Sequence, residues 1–122
     1  MDKNLTADQR KVLVVDDESS LRELIKEILE MNGFHVQESS TVDAAIKILG
    51  SDRIDLVISD VVMTGKDGFQ LLDKVQKEFT DVKIMLISGY NEYINQNIPV
   101  EIMNKPFKPF QLLERIEEIL ED

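Results

Sequence analysis

Apolar residues in this chain follow two rhythms. The first is continuous. Val12-Leu13-Val14-Val15, Leu56-Val57-Ile58 and Ile84-Met85-Leu86-Ile87 are short, unbroken and rich in Val and Ile. Runs of that kind suit strands buried on both faces, as in a parallel sheet. Two weaker runs, Phe34-His35-Val36-Gln37 and Val100-Glu101-Ile102-Met103, predict a second and a fifth strand. The second rhythm is helical. Leu21, Leu24, Ile25, Ile28 and Leu29 fall at i, i+3, i+4, i+7, i+8 and end at Asn32-Gly33, a stop signal. Val42, Ala45, Ile46 and Leu49 repeat the pattern before Gly50, and Ser40 and Asp43 have capping-box spacing at its start. Leu72, Val75 and Phe79, widened by Phe69 and Leu71, predict a third helix. Leu113, Ile116 and Leu120 predict the last, with Pro109 in its first turn.

Strand and helix therefore alternate five times. The expected fold is α/β: a doubly wound, five-stranded parallel sheet with helices on both faces and right-handed crossovers. The weakest element is the fourth helix. Only residues 90–97 can form it, and an eight-residue stretch with three Asn is a poor helix. At 122 residues there is room for one domain, expected at 11–122, preceded by a polar leader at 1–10 that has no signal-peptide core.

Composition narrows the classes. Hydrophobic residues make up 43% and charged residues 31% of the chain, and no apolar stretch approaches the ~20 residues of a membrane span. The expectation is a cytoplasmic protein without membrane contact. There is no cysteine, which excludes disulfides, thiol catalysis and thiolate zinc sites. The formal charge is −10, from 24 acids against 14 bases, and such a sheath repels phosphate backbones, so no nucleic-acid partner is expected. The lone His35 reads as a packing or surface residue.

The chemistry lies where the strands end. The first delivers Asp16-Asp17, the third Asp60, the fourth Ser88-Gly89 and the fifth Lys105-Pro106. In an open parallel sheet those ends share one edge, where ligands bind. Clustered carboxylates there repel unless protonated or neutralised by a hard cation. Mg2+ is held by one or two carboxylates together with a phosphate. A carboxylate can also attack phosphorus to give an aspartyl phosphate, with Lys105 and Ser88 left to hold phosphoryl oxygens.

Asp16-Asp17, Asp60 with Met63 and Asp67-Gly68 behind it, Ser88-Gly89 and Lys105-Pro106-Phe107 together resemble the receiver domain of two-component response regulators, from about Lys11 to Leu120. The resemblance implies a flavodoxin-like sheet of order 2-1-3-4-5, with Asp60 as the phosphoacceptor. It implies that Asp17, Asp60 and the Val62 backbone carbonyl bind Mg2+ directly, with Asp16 acting through water. Lys105 would hold the phosphoryl group, and Ser88 would turn toward it as the switch. The phosphodonor would be a histidine kinase or histidine phosphotransfer protein, docking on Glu18, Ser20, Leu21, Leu24, Pro106 and Phe107. The expected function is a phosphorylation-controlled switch acting by protein contact, not an enzyme.

Four positions depart from the family pattern. Thr64 stands where Pro is usual, which is expected only to loosen its loop. Ile102 replaces the customary aromatic switch partner, and Tyr90 is a candidate substitute. Ser88 and Lys105 are 17 positions apart, about one helical turn short of the usual spacing. Val62 cannot orient an attacking water, and Tyr90 would shield phosphorus, so slow self-dephosphorylation is expected.

Other readings remain open at this point. The chain could be a receiver excised from a hybrid kinase or a longer regulator, or a binding module that never takes phosphate. An aspartyl-phosphate phosphatase of the haloacid-dehalogenase type would need an acid where Val62 stands. Nucleotide binding would need a Gly-rich phosphate loop, and none opens the first helix.

Overall fold

A computed structural model describes residues 10–89 and 100–121. The five continuous or weak runs become β1 (Lys11–Val15), β2 (His35–Ser39), β3 (Leu56–Asp60), β4 (Lys83–Ser88) and β5 (Glu101–Asn104). They form one parallel sheet of order β2-β1-β3-β4-β5. The helices are α1 (Ser19–Met31), α2 (Val42–Ser51), α3 (Gly68–Glu78) and α4 (Pro109–Glu121). The predicted helix at 90–97, Tyr90 within it, and all of the predicted leader except Arg10 lie outside the described residues. Arg10 is tied to the fold, its carbonyl accepting the His35 N–H at 3.0 Å.

Successive strand side chains point to opposite faces, so each continuous run feeds two cores. Leu13, Val15, Val57 and Leu86 join α2 and α3 residues such as Ala45, Leu71 and Val75 on one face. Val12, Val14, Ile58, Met85 and Ile87 join Ile25 and Leu29 of α1 and Leu112 and Ile116 of α4 on the other. The central strands are buried along almost their whole length, while the edge strands β2 and β5 are only half-buried. That is why the edge strands carried the weaker apolar signal.

Helix ends follow local chemistry, with two departures from expectation. The stop at Asn32-Gly33 is real: Asn32 is the C-cap and Gly33 adopts φ 90°. The α2 cap is Thr41, not Ser40. The Thr41 hydroxyl accepts the Ala44 N–H at 3.1 Å, and the Thr41 carbonyl in turn accepts the Ser39 hydroxyl at 2.7 Å. The helix runs through Gly50 rather than ending before it. In α4 the fully buried positions are Leu112 and Ile116; Leu113 and Leu120 only flank that stripe. Among the described residues no helix is long and apolar enough to cross a membrane.

Candidate functional site

Asp16 is the first residue past β1 and is buried. Its N–H donates to the Ser39 carbonyl at 3.1 Å, carrying the β1–β2 ladder one step further. Its carboxylate folds back to accept the Glu18 N–H at 2.9 Å, and its carbonyl accepts Arg22 Nη1 at 2.7 Å. Arg22 also ion-pairs with Glu38 at 3.0 Å. These bonds fix the turn from β1 into α1. Burial raises the Asp16 carboxyl to about 6; the charges of Asp60 and Asp17 add to the rise, against the Glu18 N–H and Lys105.

Asp60 ends β3 and is 8% exposed. Lys105, the residue after β5, donates from Nζ to Asp60 Oδ2 at 3.0 Å. The Lys105 N–H donates to the Ser88 carbonyl at 2.8 Å. Ser88 ends β4 and is fully buried, and a further interaction occupies it. Sheet order thus places Asp16, Asp60, Ser88 and Lys105 at the carboxyl edge of four neighbouring strands. His35 starts β2 at the opposite edge, paired with Lys11.

The loop after Asp60 is pinned at both ends. The Val61 N–H donates to the Ile87 carbonyl at 2.9 Å, and the Val61 carbonyl accepts the Gly68 N–H at 2.9 Å. Gly68 has no room for a side chain, since a Cβ there would lie 2.4 Å from the Asp60 carbonyl oxygen and 2.9 Å from Val61 Cα. Asp67 and Gln70 form a reciprocal capping box that starts α3. Gly65 turns the chain at φ 83°. Val62 is 47% exposed, and its carbonyl accepts no backbone hydrogen bond among the described residues.

Asp17 is exposed and behaves differently from its neighbour. Its Oδ2 accepts both the Thr64 N–H at 2.8 Å and the Thr64 hydroxyl at 2.9 Å. Those two bonds hold its carboxyl below the usual carboxylate range. Thr64 therefore does not merely loosen the loop; it ties the loop to Asp17. Among the described residues, no three acidic or histidine side chains converge into a metal-holding group. The donor chemistry nevertheless suits a hard divalent cation. Asp16 is a carboxylate raised first by burial and further by the charges of Asp60 and Asp17, a repulsion that a cation would relieve.

Beside this edge, Glu18, Ser20, Leu21, Leu24, Lys105, Pro106 and Phe107 line a groove of about 430 Å³. Leu21 is half-buried against the α1–α4 core, whereas Leu24 is 48% exposed. Ile102 is half-buried and packs on the α2–α3 core, on the sheet face that Leu86 occupies. Three contributors escaped the sequence. Arg22, the tie of Thr64 to Asp17 and the steric role of Gly68 all depend on partners outside the spacings of a local helix or strand pattern.

An open parallel sheet with an aspartate at its central carboxyl edge and a lysine paired to it describes a class of phosphoacceptor signalling domains. Residues 12–119 match the family model for the response regulator receiver domain, and the chain belongs to that family. The probable transcriptional regulator ycf27 of Cyanidium caldarium is 31% identical over 92% of this chain and 47% of its own length. The phosphate regulon transcriptional regulatory protein PhoB of Escherichia coli is 29% identical over 91% of this chain and 52% of its own length. The chain thus spans about half the length of the curated relatives it matches. These relatives are transcriptional regulators, so they lend no support to the expectation that nucleic acid plays no part.

Among solved structures, the response regulator TrrA of Thermotoga maritima in complex with Mg2+-BeF superposes with a TM-score of 0.84 at 32% identity, covering 91% of this chain and 99% of that one. The CheY-like receiver protein of Methanospirillum hungatei superposes with a TM-score of 0.82 at 27% identity, covering 92% and 94%. The receiver domain of the hybrid histidine kinase CckA gives 0.78 at 33% identity, covering 90% and 98%.

Proposed function

We propose that this chain is a phosphorylation-driven switch in which Asp60 takes a phosphoryl group from a phosphohistidine of a sensor kinase or histidine phosphotransfer protein. The observation that carries the reading is the Lys105–Asp60 ion pair at 3.0 Å, which joins the ends of β3 and β5. In transfer, an Asp60 carboxylate oxygen forms a bond to phosphorus as the phosphorus–nitrogen bond to the donor imidazole breaks. The bond electrons leave with the imidazole, which takes up a proton. Lys105 then exchanges the lost carboxylate charge for a phosphoryl oxygen without leaving the site. Ser88 has the hydroxyl needed to hold another oxygen, and its carbonyl already fixes the Lys105 backbone.

Asp16, Asp17, Asp60 and the Val62 carbonyl would hold Mg2+, with Asp16 acting through water. Bound there, the ion neutralises carboxylate repulsion and the incoming phosphoryl charge. Glu18, Ser20, Leu21, Leu24, Pro106 and Phe107 offer the donor a shallow, partly apolar groove next to Lys105. Output is by protein contact, with Ser88, Ile102 and Tyr90 as the switch positions. Ile102 cannot rotate a ring, and Tyr90 lies outside the described residues. An exposed aliphatic Val62 presents no group to align an attacking water, which supports slow loss of phosphate. A net charge of −10 supports partners other than nucleic acid for this domain itself, and a soluble, cytoplasmic setting suits it.

Acetyl phosphate with Mg2+, read by intact mass, tests the reading. One phosphoryl group should add to native protein, persist for minutes or longer after donor removal, and fail to add to Asp60→Asn or to native protein in EDTA. No adduct from acetyl phosphate or any phosphohistidine donor would leave a binding module that never takes phosphate.

A further inference from the structure

Thr64 makes a contact that proline, usual at this position in the family it resembles, could not make. Both its N–H, at 2.8 Å, and its hydroxyl, at 2.9 Å, donate to the same oxygen, Asp17 Oδ2. Two donors fill both lone-pair directions of that oxygen. The contact joins the β1–α1 turn to the β3–α3 loop across 47 positions of sequence. The loop on either side of Thr64 is anchored to the rest of the fold. Val61 is pinned to Ile87 and Gly68, and Lys66 ion-pairs with Asp43 on α2 at 2.7 Å. Asp67 is locked into the α3 cap. The loop that carries the two donors is therefore anchored on both sides of Thr64.

Asp16 and Asp60 are buried at the sheet edge, whereas Asp17 is exposed with Thr64, and the three carboxylates do not converge. We propose that Thr64 is a latch on Asp17: it holds this carboxylate against the β3–α3 loop in the metal-free chain, and Mg2+ is taken up only as that hold is released. This positioning role rests on Asp17 being a Mg2+ ligand. Each hydrogen bond surrendered by a charged group weakens net cation binding, so Thr64 sets the Mg2+ affinity below what the carboxylates alone would give. It also makes the β3–α3 loop report metal occupancy.

The test is calorimetric titration of Mg2+ into native protein, Thr64→Val and Thr64→Ser, joined to amide NMR of the native chain. Removing only the hydroxyl donor in Thr64→Val should tighten Mg2+ binding about three- to tenfold. Thr64→Ser, which keeps both donors, should stay near native. The native Thr64 amide proton should move upfield in step with Mg2+ saturation as its carboxylate acceptor departs, a readout that does not depend on any variant folding. Unchanged or weaker binding in Thr64→Val, or a Thr64 amide that stays in place to saturation, overturns the latch alone. Native protein that takes up no Mg2+ overturns the metal reading as well, whereas acetyl phosphate labelling bears only on the acceptor.

Discussion

Asp16 and Asp17 are adjacent acids with opposite electrostatic fates, and hydrogen-bond supply decides between them. Asp17 is exposed and accepts two donors from Thr64, so its charge is stabilised. Asp16 is buried with one backbone donor and two acidic neighbours, so its charge is opposed and its carboxyl rises from 3.8 to about 6. In metal-free protein the fold thus favours neutral Asp16. That contribution to stability is fully present below about pH 4 and is lost as the pH rises through about 6. Asp16→Asn keeps the shape and an acceptor for the Glu18 N–H but carries no charge. In EDTA at pH 8 it is expected to be more stable than native by about 1–2 kcal/mol in urea unfolding. The gain should vanish near pH 4, where native Asp16 is also neutral. A gain of equal size at both pH values would show that buried charge is not its source. The acidic pair was plain in the sequence, but not the split between its members, because Thr64 lies 47 positions away from Asp17.

At the scale of elements, the sequence was most legible where burial was most complete. Val12–Val15, Leu56–Ile58 and Ile84–Ile87 face a helical layer on each side of the sheet, so every residue had to be apolar and the run announced the strand. Helix ends were less legible. Ser40 and Thr41 are both hydroxyl residues before α2, and only the extended backbone of Thr41 and its bond from the Ala44 N–H show that it is the cap. The Asp67–Gln70 box has the right spacing but sits inside a motif read for other reasons. Gly68 shows a further limit, because the need for glycine comes from the end of a strand it touches. Two glycines of helical residues make opposite predictions. At Gly68 a methyl would collide with the Asp60 carbonyl at 2.4 Å, so Gly68→Ala should lose about 2–4 kcal/mol and displace Asp60. At Gly50 nothing lies within 4 Å of the added methyl, so Gly50→Ala should gain about 0.5–1 kcal/mol from helix propensity alone. Denaturant midpoints of the two variants, measured side by side, decide both. Equal losses would mean that the close approach of α3 to β3 is not what fixes Gly68.

Across the whole molecule, the doubly wound order separates stability from function. Both cores lie above and below the sheet, while the carboxyl edge that carries Asp60 and the groove beside it share one end. Lys105 belongs to both, since its Nζ meets Asp60 and its residue lines the groove. In the proposed docking, a donor seated on α1 and Phe107 would bring its phosphoryl group to the lysine paired with Asp60. Leu24 is the residue that separates docking from chemistry. At 48% exposed it contributes little to the core, unlike Leu21 one turn earlier. A lysine there keeps helix propensity and adds a strongly hydrated charge to a contact meant to be dry. Leu24→Lys should change unfolding stability by no more than about 0.5 kcal/mol. Transfer from a histidine phosphotransfer protein that labels the native chain should slow by tenfold or more, the loss expected when an apolar anchor at the centre of an interface is replaced by a charge. Acetyl phosphate is too small to need the groove and should label the variant at the native rate. Equal slowing with both donors would place Leu24 in the chemistry of the acceptor edge, and no slowing with either would move the docking face away from α1.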